Sequence, residues 1–268
     1  MAKKLRGVSV ERQQKWYKNH VESFIRESYE PYFLVQDIPS SGIKVKTRYF
    51  SDSNRIVHLL SMNEMFAYQM ISWNPDIVEC YEQFAIPIEE SVAIAIELGV
   101  KHPLHSDTQV PAIQTIDFVC IHKDGEMSAI AVKEHSALDN FRTQEKLAIQ
   151  EAYCQLNDIK FTILDSSTLK SQQCENLERL SRHATLDKEQ ELFFDDWLSN
   201  FVGILSDDRH ERVANVLKKS ADMMGFEYAR AANLFYHAIW TTRLSFEWTK
   251  PLVLEAAASD LKLFPAHD

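Results

Sequence analysis

A hairpin in the first half of the chain, residues 115–133, constrains the fold more than any other stretch. It reads TIDFVCIHKDGEMSAIAVK, two mostly apolar runs joined by Lys-Asp-Gly. A three-residue loop with the glycine in the left-handed conformation would place Asp117 opposite Ala131 and diagonal to Lys133, on one face. A two-residue Asp-Gly turn would instead put Asp117 and Lys133 on opposite faces. The loop type therefore decides whether this acid and this base share a site.

The segments around the hairpin alternate between strand and helix patterns. IVECYEQFAI and KFTIL predict strands, SVAIAIELGV a short helix ending near Gly99, and RTQEKLAIQEAYCQL a longer helix. SMNEMFAYQMISW predicts a helix capped by Ser61. This alternation is typical of a compact α/β domain with a mixed sheet.

The pattern changes after Leu164, where the polar stretch DSSTLKSQQ begins. Helical patterns dominate from there, and AIWTTRLSFEW alternates like a short hairpin around Thr241 and Thr242. Helices followed by a small hairpin suggest a helix-turn-helix with a wing. We therefore predict two domains, residues 1–168 and 169–268.

Composition places the chain among reduced globular proteins. It has no apolar run of about 18 residues, the length that a membrane-spanning helix needs, and its basic start lacks the apolar core of a secretory signal. The four cysteines are widely spaced and form no Cys-x-x-Cys pair. We expect a cytoplasmic protein that does not enter a membrane.

The charge balance argues against a protein that grips nucleic acid alone. The formal net charge is −10, from 29 Lys and Arg against 39 Asp and Glu, whereas unaided DNA binding usually needs an excess of cations. The first 20 residues are the exception, with six basic residues against Glu11. Such an arm could contact phosphate or simply be solvated. Because the chain as a whole is acidic, a partner protein would have to provide much of the binding to any DNA substrate.

An acid, a turn and a strand ending in x-Val-Lys form the usual layout of a metal-dependent nuclease core. Carboxylates there hold Mg²⁺, and the lysine orients water or offsets charge on phosphorus. The alternative for Asp117 and Lys133 is an ordinary surface ion pair. Glu64 is the candidate for a second metal-binding acid, and its alternative is a capping box with Ser61. The residues alone leave both alternatives open.

The histidines His58, His102 and His105 lie in the same half of the chain. KHPLH has His-x-x-His spacing, but Pro103 breaks a helix there and no Cys or acidic residue lies at ligand spacing. We do not expect zinc. A supporting or phosphate-facing role for His102 stays open.

From about Tyr32 to Leu164 the chain resembles TnsA, the endonuclease subunit of heteromeric Tn-seven-type transposases. The resemblance rests on LVQDIPSSG, RIVHLLSMNE, EQFAIP, GVKHP, TIDFVC, AVK and RTQEKL, in this order and at similar spacing. The C-terminal third is similar mainly in its pattern of helices. The resemblance implies a restriction-endonuclease-like catalytic domain with a mixed sheet, and a winged-helix-like domain that contacts partner subunits.

The resemblance also implies an activity. Proteins of this family cut the 5′ strand at each transposon end by Mg²⁺-assisted hydrolysis, for which Mn²⁺ could substitute. A DDE-type transposase partner cuts and joins the 3′ strand, and an AAA+ ATPase regulates both through the C-terminal domain. Glu64 and Asp117 fall on the family's two metal-binding acids and Lys133 on its catalytic lysine. The expected partners are thus transposon-end DNA and two other proteins.

One departure from the family concerns Ala131, where relatives often have Gln or Glu. A methyl group cannot coordinate a metal, although the carbonyl of Val132 or a water could fill the position. Glu145, on the next helix, is another candidate, unless it simply belongs to an exposed helix face. A subunit that bridges transposase and ATPase without cutting is the first rival hypothesis, and a restriction or repair nuclease with the same core is the second.

Overall fold

The computed structural model describes residues 5–26, 28–38, 42–52 and 54–266, and the chain divides into two compact units, residues 1–169 and 170–268. The boundary predicted from the sequence, between residues 168 and 169, lies one residue before this division. The Pro39–Ser41 part of the LVQDIPSSG motif and the basic residues Lys3 and Lys4 lie outside the described residues.

The first unit is built on a four-stranded mixed sheet, which confirms the α/β class. Its strands, in spatial order, are β3 (Ile77–Ala85), β4 (Thr115–His122), β5 (Met127–Lys133) and β6 (Lys160–Asp165). The first three are antiparallel and β6 runs parallel to β5. A separate antiparallel pair comprises β1 (Val45–Arg48) and β2 (Ile56–Leu59).

Helices connect and cover these strands. They are α1 (Val10–Ile25), α2 (Met62–Trp73), α3 (Ile88–Glu97), α4 (Phe141–Leu156) and α5 (Ser166–Leu169), with a single 3₁₀ turn at His135–Ala137. Parallel strands need such a crossover, and α4 joins β5 to β6. One apolar core packs Ile149 of α4 against Ile116 and Ala129 of the sheet. Asp117 is therefore a polar interruption in a strand that is otherwise buried along most of its length.

The turn between β4 and β5 is the three-residue loop expected from Lys-Asp-Gly. The backbone N–H of His122 donates to the carbonyl of Glu126 (2.9 Å) and Gly125 has a φ of 86°. The ladder between the two strands keeps this register, which sets Asp117 opposite Ala131. The alternative two-residue turn is excluded, so Asp117 and the end of β5 share one face.

The second unit is helical, as predicted. Its elements are α6 (Gln172–Ser181), α7 (Lys188–Asp207), α8 (Val213–Met224), α9 (Tyr228–Trp240), β7 (Leu244–Ser245) and β8 (Phe264–Pro265). Trp197, Phe201 and Phe235 are fully buried at its centre. A capping box between Asp187 and Gln190 starts α7, and Gly225 ends α8 in the left-handed conformation.

The hairpin expected around Thr241 and Thr242 is wrong. Ala238 and Ile239, which read as strand residues, are both fully buried within α9. Adjacent residues on a strand would face opposite sides, whereas a helix can bury both in one stripe. The short strand β7 pairs instead with β8, close to the end of the chain. Within the part of the chain that the structure describes, every helix is too short or too polar to span a bilayer.

Candidate active site

The hairpin brings Asp117 and Lys133 into direct contact. The Nζ of Lys133 donates to Asp117 Oδ2 at 2.9 Å and to the carbonyl oxygen of Val132, also at 2.9 Å. The backbone N–H of Val132 donates to the same Oδ2 at 2.7 Å. The side chains of Lys133 and Asp117 are 25% and 13% exposed, so the pair is partly shielded from water. It is more than an ion pair across an open sheet surface, because a backbone N–H also fixes the carboxylate.

Glu64 enters the same site from the first turn of α2. Its side chain is largely buried, at 8% exposure. The helix-capping alternative holds in part: Ser61 Oγ accepts from the backbone N–H of Glu64 (3.2 Å) and caps the helix. The carboxylate, however, accepts from the N–H of Leu60 (2.8 Å) and from the Ser61 hydroxyl (3.0 Å), not from the Ser61 N–H. The same contacts that start α2 therefore hold this acid in place.

Gln83, which the polar and apolar pattern of the sequence does not single out, links the two acids. Its amide nitrogen Nε2 lies 3.3 Å from Glu64 Oε2 and 3.5 Å from Asp117 Oδ1. Its amide oxygen accepts from the Thr115 hydroxyl at 2.9 Å. Because one nitrogen contacts both carboxylates, Glu64 and Asp117 face the same small volume. The signal that could have found Gln83 is its place in EQFAIP, one of the segments shared with the TnsA family.

The electrostatics of the site are unbalanced towards negative charge. Burial and then the charge of Asp117 raise the pKa of Glu64 to about 7, while hydrogen bonds from Leu60 and Ser61 and the charge of Lys133 oppose the rise. A buried carboxylate with a neighbouring acid favours its neutral form unless a cation compensates. A divalent cation is the kind of ligand that would relieve this imbalance.

The donor atoms fit magnesium rather than a metal that needs a full cage of side chains. Among the residues that the structure describes, no three His, Cys, Asp or Glu side chains are grouped to hold a metal ion. Glu64, Asp117 and the Val132 carbonyl offer hard oxygen atoms, and Ala131, fully buried, offers none. Magnesium commonly uses one or two carboxylates and keeps several waters. The residues present therefore fit this ion with water completing its shell.

Glu82, next to Gln83, is a buried acid with separate partners. Arg55 pairs with one oxygen of Glu82, and the backbone N–H of His58 donates to the other at 3.1 Å. The Arg55 guanidinium also lies over the ring of Tyr49, 4.1 Å from its centroid. This acid is already neutralised by Arg55, which distinguishes it from Glu64.

Glu145 has other partners, so its candidacy as the replacement for a ligand at Ala131 is not supported. Its Oε1 accepts from the backbone N–H of Lys101 (2.9 Å), and Arg142 pairs with Oε2. Arg142 also donates to the carbonyl of His102 (2.9 Å). Glu145 and Arg142 thus fasten the GVKHP loop to the start of α4.

The histidines lie in three separate hydrogen-bonding environments. The Nε2 of His102 lies 3.1 Å from the Ser91 hydroxyl, and that of His105 lies 2.9 Å from Gln13 Oε1. His58 Nδ1 accepts from the backbone N–H of Val35 at 3.2 Å. Each ring supports local structure, and the phosphate-facing role considered for His102 stays a prediction.

Part of the basic N-terminal segment is engaged within the chain. The guanidinium of Arg12 donates to the carbonyls of Arg6 and Gly7 (3.4 and 3.1 Å), and Lys18 lies 3.8 Å from Glu22 on the same helix. These contacts lie at the surface, where an ion pair such as that of Lys18 with Glu22 contributes little to stability.

Comparisons with known proteins show which family this chain resembles. Residues 74–166 match the family described as TnsA-like endonuclease N terminal, a range that contains Gln83, Asp117 and Lys133 and begins after Glu64. Over 195 residues the chain is 32% identical to Transposon Tn7 transposition protein TnsA of Escherichia coli. That alignment covers 72% of this chain and 70% of the Escherichia coli protein.

Proposed function

The chain belongs to the TnsA-like endonucleases, and on this premise we propose that it cleaves the 5′ strands at transposon ends as the Mg²⁺-dependent endonuclease subunit of a Tn7-type transposase. The observation that carries the proposal is the convergence of Glu64, Asp117 and Lys133. Gln83 contacts both acids and Lys133 contacts Asp117, so the three groups surround one volume. Such a group of two carboxylates and a lysine suits phosphodiester hydrolysis.

The metal-binding role falls to Glu64, Asp117 and the main-chain carbonyl of Val132. A bound Mg²⁺ supplies Lewis-acid polarisation of the phosphoryl group and makes water a better nucleophile near neutral pH. Mn²⁺, with similar oxygen preferences, would substitute for it. The hydrogen bonds from Leu60, Ser61 and Val132 hold the two carboxylates in place before the ion arrives, which lowers the cost of reorganising the site.

Lys133 has a second task at the reacting phosphate. It now donates to Asp117 Oδ2 and to the Val132 carbonyl, the oxygens assigned to the metal. Releasing them frees its Nζ to hold a proton towards the attacking water or a phosphate oxygen. A protonated amine there would orient the water and offset the negative charge that grows on the phosphoryl oxygens. A lysine can do this because its flexible stem carries a compact charge.

The overall acidity supports a division of labour with partner proteins. A chain with a net charge of −10 has too few cationic side chains in excess to bind DNA tightly through counterion release. We propose that a DDE-type transposase brings the transposon end to the site and processes the 3′ strand. We also propose that an AAA+ ATPase acts through the helical unit, residues 170–268.

Replacing Asp117 with Ala tests the proposal directly. This variant loses the acid that contacts Lys133, Gln83 and Val132, so 5′-strand cleavage should fall to background while 3′ joining by the partner continues. The products of a complete transposition reaction should then change from simple insertions to cointegrates. Asp124→Ala, on the exposed tip of the same hairpin, is the matched control and should give simple insertions. Simple insertions at the normal rate from Asp117→Ala would contradict the assignment.

A non-cutting scaffold is the second candidate, and two observations favour it. Ala131 offers no metal ligand, and the ammonium of Lys133 already contacts Asp117 and the Val132 carbonyl. Titration calorimetry with Mn²⁺ separates the two functions. The enzyme should bind the ion with an affinity that Asp117→Asn abolishes, whereas the scaffold should show no site-specific binding.

A further inference from the structure

We propose that Gln83 is a functional residue of this site: its side-chain amide holds Glu64 and Asp117 together in the free protein and turns its oxygen to the cation when one binds. This inference rests on the proposed metal-dependent cleavage. It adds a neutral oxygen ligand to the two carboxylates and the main-chain carbonyl already assigned.

The backbone aims Gln83 into the site. The register of β3 and β4 is the same on both sides of it, so Gln83 lies directly opposite Asp117 on the neighbouring strand. Its φ of 50° is in the left-handed region, which non-glycine residues rarely adopt inside a strand. Its carbonyl accepts from the N–H of Tyr32 (3.2 Å), outside the sheet ladder. Strained conformations of this kind are concentrated at functional sites.

The side chain of Gln83 is buried and fully occupied. It is 2% exposed, its nitrogen contacts one oxygen of Glu64 and one of Asp117, and its oxygen accepts from Thr115. An amide N–H₂ group between two carboxylates supplies partial positive charge where full positive charge is scarce. A glutamine therefore serves in the free site as a weak substitute for a cation.

Thr115, which contacts the amide oxygen of Gln83, would also allow the amide to be turned so that its nitrogen faces Thr115. The Thr115 hydroxyl now donates to Gln83 Oε1, and a hydroxyl can equally accept from an N–H₂ group. Rotating the amide by half a turn would keep this hydrogen bond and direct the oxygen towards the carboxylates. Gln150 holds Thr115 in place by donating to its backbone carbonyl at 2.8 Å. Three oxygen atoms facing each other repel unless a cation lies among them, so the rotation would accompany metal binding.

Gln83 also compensates for Ala131. The registers of the two ladders, continued by one residue, place Asp117 between Ala131 on β5, which is apolar, and Gln83 on β3, which is polar. Amide oxygens are hard donors of the kind that Mg²⁺ and Mn²⁺ accept. The ligand that the β5 side cannot provide is therefore available from the β3 side.

The test is Mn²⁺ binding by calorimetry to Gln83→Met, Gln83→Glu and the unmodified protein, with thermal melting to confirm that each is folded. Gln83→Met keeps the length of the side chain and removes both polar atoms, and should weaken binding about 10- to 100-fold, the usual effect of losing a group that supports a metal site. Gln83→Glu retains an oxygen donor and should bind Mn²⁺ at least as tightly as the unmodified protein. Without the ion, its third carboxylate should lower the melting temperature, and Mn²⁺ should raise that temperature more than in the unmodified protein.

Gln114→Met is the matched control, because Gln114 is likewise a buried glutamine, lies immediately before β4, and is outside the cluster. Its Mn²⁺ affinity should equal that of the unmodified protein. Unchanged Mn²⁺ affinity in Gln83→Met would overturn the inference while leaving the proposed function intact, provided that Asp117→Asn still abolishes binding. If Gln83→Glu also binds Mn²⁺ more weakly than the unmodified protein, Gln83 is not a metal ligand and acts only by donating hydrogen bonds to the two carboxylates. Absence of Mn²⁺ binding to the unmodified protein would overturn both proposals.

Discussion

Asp117 is the residue on which the contacts of the site converge. One of its oxygens accepts from Val132 and Lys133 on β5, and the other from Gln83 on β3. Glu64 depends on the same cluster but has only neutral donors of its own. A single lysine thus lies beside two acids, and the pKa of the buried Glu64 is raised.

Glu64→Gln should stabilise the metal-free protein in a pH-dependent way. The pKa of Glu64 is raised from its ordinary 4.5 to about 7 in the folded chain, so between these values the folded state binds the extra proton. Stability then falls as pH rises through this window, and the loss is complete above it. In chelator, the gain in melting temperature from Glu64→Gln should be small at pH 4.5 and larger at pH 8.

Magnesium should reverse the order of the melting temperatures of Glu64→Gln and the unmodified protein. At pH 8 the ion compensates the two charges in the unmodified protein, whose melting temperature should rise more than that of Glu64→Gln. Equal gains at both pH values, or equal stabilisation by Mg²⁺, would mean that burial of Glu64 carries no charge penalty.

At the residue scale, the sequence predicted contacts between residues that are close along the chain better than contacts between distant residues. The contact between Asp117 and Lys133 follows from counting residues around a short loop, and both are near in sequence. The link through Gln83 does not, because a left-handed residue inside a regular strand has no signature in a polar-apolar pattern. Glu64 was readable in two ways, and its position explains why: it lies in the first turn of α2, where Ser61 caps its backbone N–H, and its carboxylate also faces the site. The roles of these residues in catalysis stay predictions.

Among the secondary-structure elements, the β4–β5 hairpin determines the site most directly. Its loop sets the register, the register selects the face of each side chain, and that choice puts Asp117 beside Lys133. The same reasoning failed for the expected hairpin near Thr241, where an alternating stretch overlaps the end of α9. Alternation over a few residues does not distinguish a strand from the last turn of a buried helix. The strand β8, which pairs with β7, lies too far along the chain for the sequence to identify it as the partner of β7.

Gly125→Ala should destabilise the protein, and Gly203→Ala should stabilise it. An added Cβ meets no atom within 4 Å at either position, so the difference is conformational. Gly125 has a φ of 86°, and a left-handed conformation costs a non-glycine residue about 1–2 kcal/mol. Gly203 lies inside α7, where alanine should add about 0.5–1 kcal/mol of stability.

Urea unfolding of the two glycine variants gives both free energies. Measured 5′-strand cleavage should also fall in Gly125→Ala if the loop relaxes into another turn, because Asp117 and Lys133 would then separate. The two substitutions should change the free energy of unfolding in opposite directions. If Gly125→Ala stabilised the protein, Gly125 would not have the left-handed conformation that the loop requires.

At the scale of the whole molecule, the chain combines an α/β unit and a helical unit under a net negative charge. The mixed sheet and the helical second half were predictable, because long periodic segments carry strong signals. The short pair β7–β8 was not, since two residues per strand leave no pattern. Family membership came from many short segments in order, which no single motif could have supplied.

The isolated chain should bind DNA weakly and without sequence preference. Its net charge of −10 leaves only local basic segments to contact phosphates, so we expect dissociation constants of about 10⁻⁴–10⁻⁶ M at physiological salt, typical of non-specific binding. Fluorescence anisotropy with a labelled transposon end and a scrambled duplex of equal length measures both affinities. Tight binding to the transposon end alone, without any partner, would show that the chain itself reads the sequence.

If a divalent ion binds where we propose, the ammonium of Lys133, which donates to Asp117 Oδ2 and to the Val132 carbonyl, would compete with it. Because Lys133 is tethered to the same strand as Val132, dilution would not remove this competition, and low concentrations of the ion would not displace the ammonium. The proposed nuclease would therefore stay inactive until the ion, the DNA strand and the partner proteins are present together.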